Sequence, residues 1–140
     1  MNPIARTIKW IMLISGVLTT TMIYAAIAPA AAVRSNFGES LEGPVAELIV
    51  RNWGILIALV GLMLIHGAFR PSSRRVALLV AAASKTAFIA LVLSHGSRYL
   101  SSNAGAAVGI DAAMVILFAL YLMTHREERP TQYAAVGGAQ

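Results

Sequence analysis

Cysteine is absent from this 140-residue chain, which removes disulfides, thiolate metal sites and quinone-linked disulfide oxidoreduction from consideration. Charge is scarce as well: 12% of the residues are Asp, Glu, Lys or Arg, about half the roughly 25% usual in soluble domains. No nucleophile motif, phosphate loop, metal-ligand cluster or internal repeat is evident in the sequence. What is abundant is apolar, 58% of the residues, with a mean hydropathy of +0.72. The apolar residues fall in separated blocks long enough to cross a bilayer, so the chain reads as one all-α, polytopic membrane domain. The sequence pI near 10.3 does not indicate nucleic acid: the cations cluster at the ends of the apolar blocks, and aromatic residues are not interleaved with them.

Four spans are expected, over residues 8–28, 53–69, 76–95 and 104–124, followed by a polar tail over 125–140. The first block ends in AIAPAAAV and so resembles a signal peptide with a small-residue cleavage site. A retained helix is preferred, because its apolar part runs to about 20 residues where a signal core has about 7–15. Residues 30–44 carry turn formers and read as a loop. Pro44 suits the first turn of a helix, and Glu47 precedes Arg51 by the four residues that stabilise a helix surface, so the second helix is expected to begin ahead of its apolar part.

Short loops imply an antiparallel four-helix bundle with both termini on one side. Placing them in the cytoplasm puts seven Lys and Arg residues inside against three outside, the bias of a bacterial inner-membrane protein. Lipid gives no hydrophobic reward for helix association, so small residues should line the contacts. Gly54, Ala58 and Gly61 share one face of the second span, and Ala77, Ala81 and Ser84 one face of the third. Packing within the subunit is favoured over a dedicated dimerisation motif.

Lys85 interrupts the third span nine residues after Val76, about 14 Å below the membrane boundary and close to the midplane. An uncompensated charge at that depth costs at least about 2.5–3.5 kcal/mol. Asp111, seven residues into the fourth span, lies within about 6 Å of it in depth and has the opposite sign. A buried pair between the third and fourth spans follows, serving as a ligand or ion site in preference to a purely structural lock. The outward lean of the Asp111 side chain suggests water or a hydroxyl between the two groups. Ser15, Thr19, Thr20 and Tyr24 of the first span are candidate polar lining, although local bonding to a backbone carbonyl is the commoner fate of a membrane threonine.

Neither a cofactor nor a metal is expected. His66 and His95 fall at opposite ends of the bundle, so one b-type haem cannot use both; His125 lies at an interface beside arginines. A lysine with an aspartate nearby also suggests retinal chemistry, but those proteins have seven spans. Small multidrug exporters share the size, yet they carry an essential glutamate in the first span, where this sequence has none.

The segment RNWGILIALVGLMLIHGAFRPSSRR, through Arg51, Trp53, Gly54, Gly61, Arg70 and Pro71, resembles small four-span bacterial membrane proteins that are loosely DoxX-like. The resemblance implies a four-helix fold and no agreed reaction. Size and short loops lead to the expectation of an accessory or assembly subunit, whose partners are the lipid bilayer and other membrane subunits or further copies of the chain. The alternative is a small transporter or binder of a lipid-soluble ligand that uses Lys85 and Asp111.

Overall fold

The computed structural model describes residues 3–125. Six α-helices follow one another: α1 Pro3–Thr20, α2 Ile23–Ile27, α3 Pro29–Phe37, α4 Pro44–Phe69, α5 Pro71–Ser94 and α6 Asn103–Thr124. Four segments are long and apolar enough to cross a membrane, Arg6–Ile27, Pro44–Phe69, Pro71–Ser94 and Asn103–Thr124. The first combines α1 and α2. The chain is therefore a multi-pass helical protein, and four crossings place its two described ends at the same end of the bundle. The expected polar tail lies outside the described residues, except for His125 at its start.

The first crossing is not one continuous helix. Thr19, Thr20 and Thr21 stand in succession, and two of them turn their hydroxyls back on the helix: Thr20 donates to the Gly16 carbonyl at 2.7 Å and Thr21 to that of Leu18 at 2.6 Å. From there the backbone tightens, with the amides of Met22, Tyr24 and Ala25 bonding three residues back instead of four. Arg51 on α4 supports the far side of this break. Its guanidinium donates to the carbonyls of Ala26 and Ile27, at the end of α2, while Glu47 one turn away holds it at 2.6 Å.

Residues 29–37 depart from the loop expected of them. The run PAAAV has strong helix formers behind a proline, and Pro29 occupies the first turn of α3, where its missing amide proton costs nothing. Gly38, with φ of 72°, ends the helix in the left-handed conformation that favours glycine. The loop is thus confined to residues 38–43. At the other end of the bundle the turn between α4 and α5 is the single residue Arg70. Pro71 opens α5 directly, five residues ahead of the expected start at Val76. Arg74 reaches back to the carbonyls of Gly67 and Ala68, at 3.3 and 3.2 Å, and so caps α4.

Packing is closest between α1 and α4, through small residues on both. A Cβ placed on Gly61 would stand 2.6 Å from the Thr20 amide nitrogen and 2.7 Å from the Gly16 carbonyl oxygen, and one on Gly16 would stand 2.9 Å from the Gly61 carbonyl oxygen. The two backbones are in contact, which only glycine allows. Gly54 meets α2 in the same manner, and Ala58 is buried between them. The expected stripe is therefore an internal seam of the subunit. Near the chain ends, Met12, Leu64, Ala77, Leu78, Ala81 and Phe118 close a continuous core. Outside it, leucine, isoleucine and valine side chains from every crossing remain exposed, as lipid-facing surfaces require.

Candidate intramembrane site

Lys85 stands near the middle of the 24-residue α5 and is 8% exposed. Its stem packs inside the bundle, and its ammonium meets groups from two other helices. Nζ donates directly to Asp111 Oδ1 on α6, and to Thr19 Oγ1 on α1 at 3.2 Å. No water or hydroxyl separates the lysine from the aspartate, contrary to the lean expected of the Asp111 side chain. The lysine reaches across the depth difference instead, since its stem spans several ångströms and turns freely. Thr19 supplements the ion pair.

A cavity of about 250 Å³ adjoins this triad. Its inner end carries Ser15, Thr19, Lys85 and Asp111; its walls are apolar, with Ile57, Val60, Phe88 and Met114 among them. Phe37 at the end of α3 covers the side away from the chain ends. Its ring lies 6.1 Å from that of Trp53 and 5.5 Å, edge to face, from that of Tyr99. The Arg98–Glu39 ion pair, at 2.5 Å, ties the residue beyond Gly38 to the turn before α6. Hydrogen bonding to Glu39, and then its charge, raises the Arg98 pKa above the ordinary arginine value.

The remaining side is less closed. Leu18 on α1 and Ile110 on α6 both line the cavity, and each is 49% exposed. α1 and α6 touch only sparsely there, in contrast to α1 with α4. The cavity is thus roofed toward one membrane face by α3 and flanked toward the bilayer by a loose seam.

The polar residues expected from the first crossing separate into three fates. Thr19 and Ser15 line the cavity. Thr20 faces α4 and satisfies itself on Gly16. Tyr24, 44% exposed, points outward, because the tightened backbone after Thr20 rotates the next turn away from the interior. Ser15 is 1% exposed, and its hydroxyl has no hydrogen-bond partner among the described residues. The apolar walls were not anticipated. Phe37 falls in the segment expected to be a loop, and the helix-forming run ahead of it is the available signal.

Among the described residues no group of three His, Asp or Glu side chains gathers to hold a metal ion. His66 and His95 are exposed, and His125 stacks on Tyr121 with ring centroids 4.4 Å apart. Fold and site together define a four-crossing helical membrane protein with a charged pair set beside an internal, mostly apolar cavity. No family model, curated protein or solved structure matches this chain.

Proposed function

We propose that this protein binds a lipid-soluble small molecule within the membrane, as a carrier or small transporter, with Lys85, Asp111 and Thr19 forming the polar end of the binding cavity. One observation carries this reading: the buried ammonium borders a cavity while holding a carboxylate and a hydroxyl from two neighbouring helices. A pair needed only for register would gain nothing from an adjoining void, which forfeits packing on every wall that faces it. The charge distribution further supports cytoplasmic termini, and with them residence in a bacterial inner membrane. The accessory-subunit reading rests on small size and on short loops that leave helix faces as the main recognition surface, and lipid accounts for exposed faces equally well.

The test uses the paired replacement Lys85→Met with Asp111→Leu, which removes both charges together and preserves volume approximately. Wild-type protein purified in lipid nanodiscs should carry a small amphiphile at up to one per chain, detected by mass spectrometry of the extract. The double variant should remain folded and lose it. A double variant that folds and retains the same amphiphile would assign the pair to structure alone.

A further inference from the structure

We infer that the cavity takes an electrically neutral molecule bearing a hydrogen-bond-accepting oxygen, a ketone being the simplest case, and that this molecule enters sideways from the bilayer between α1 and α6. The inference rests on the binding role proposed above and specifies its ligand. Three features of the site support it.

The first is charge. Lys85 and Asp111 already neutralise one another, so a ligand carrying a full charge would bring an unmatched ion into a mostly apolar enclosure near the membrane centre. The second is unfilled donor capacity. An ammonium has three protons, and two of them are directed to Asp111 and Thr19, leaving one without an acceptor among the described residues. The Ser15 hydroxyl, one helical turn from Thr19 on the same face of α1, is buried and unpartnered. Two idle donors at the inner end of one cavity call for an acceptor, and an oxygen with two lone pairs meets both. The third is access. Phe37, Trp53 and Tyr99 cluster over the cavity toward the membrane face, whereas Leu18 and Ile110, which line it from α1 and α6, are half-exposed where those two helices touch only sparsely. For size, a cavity of about 150 Å³ holds a benzene ring, so this one, at about 250 Å³, accommodates a ring with a short substituent or most of a ten-carbon chain.

Tryptophan supplies the readout. Trp53 lines the cavity, while the other tryptophan, Trp10, is exposed elsewhere and is replaced by Phe to leave a single reporter. In nanodiscs, the full chain is titrated with four bromine-terminated probes of matched length: a decyl methyl ketone, the corresponding alkane, a decyl sulfate and a decyl trimethylammonium. Bromine quenches the indole on contact. The ketone should quench saturably, at one per chain and at least about tenfold more tightly than the other three. Ser15→Ala should weaken the ketone about five- to tenfold, the scale of one lost hydrogen bond, and leave the alkane unchanged. Leu18→Phe, at the seam, should slow the ketone's entry.

Saturable quenching by the alkane as tight as by the ketone, or a ketone affinity indifferent to Ser15→Ala, would overturn the acceptor assignment while leaving a binding cavity. Preference for the sulfate or the ammonium would overturn neutrality. A rate of ketone entry unchanged by Leu18→Phe would overturn lateral entry between α1 and α6. Absence of saturable quenching by all four probes would reject the binding role itself.

Discussion

Helix α1 presents two faces that solve opposite problems. On one, Gly16 and Thr20 lie against Gly61 of α4 at backbone distance, with no room for a single added carbon. On the other, Ser15 and Thr19 look toward α5 and α6, where an ion pair and a cavity keep the helices apart. The first face is dry and self-satisfied, since the Thr20 hydroxyl bonds within its own helix. The second leaves donors unspent. The contrast shows how a small membrane protein separates its two needs: one seam holds the fold by close contact, because lipid supplies no hydrophobic drive, and the neighbouring seam is left open for polar work.

That contrast can be broken from either side. The largest effect is expected from Lys85→Met or Asp111→Leu alone, each of which strands a buried charge and should cost about 3–5 kcal/mol in a thermal or denaturant melt in mild detergent. The two together should recover most of that loss, and the double-mutant cycle measures the coupling directly. Next comes the closed seam. Gly61→Ala drives a methyl into the Thr20 backbone and should destabilise by about 1–3 kcal/mol without altering ligand capacity. Adjacent threonines should then diverge: Thr19→Val removes an acceptor from the buried ammonium and should cost about 1–2 kcal/mol, whereas Thr20→Val, losing only a bond within α1, should cost less than about half of that. The smallest effect belongs to the Arg98–Glu39 tie. Arg98 is exposed, and Arg98→Gln should leave the melt unchanged within error. Its pKa is raised, so whatever the pair contributes is fully present below the ordinary arginine range and is lost only as pH climbs through the still higher folded value. The arginine therefore contributes no pH dependence near neutrality.

Much of this was legible in the sequence. The four crossings announce themselves through uninterrupted apolar length, and the pairing of Lys85 with Asp111 follows from depth and sign alone, because lipid leaves a buried ion few alternatives. The glycine stripe on α4 was equally plain. What the sequence concealed depends on rotation. Thr19 and Thr20 are indistinguishable as letters; the rotation of α1, fixed where Gly16 and Thr20 meet Gly61, decides which one meets the lysine, and the tightened turn beyond them sends Tyr24 outward. α3 was hidden by the turn formers that follow it, although PAAAV is a helix-forming run. The cavity could not be seen at all, since a void belongs to the spaces between helices and no residue type encodes it.

Lys85 is one of two lysines in the chain and Asp111 is its sole aspartate, so isotopic labelling by residue type isolates the pair without mutation. A solid-state NMR dipolar measurement in lipid bilayers, from lysine side-chain nitrogen to aspartate carboxyl carbon, tests the contact at the centre of the account. A separation of about 3–4 Å, carried by one of the two lysine signals, is the expected result, as a charge-assisted hydrogen bond requires. A separation beyond about 6 Å, too long even for a bridging water, would contradict it.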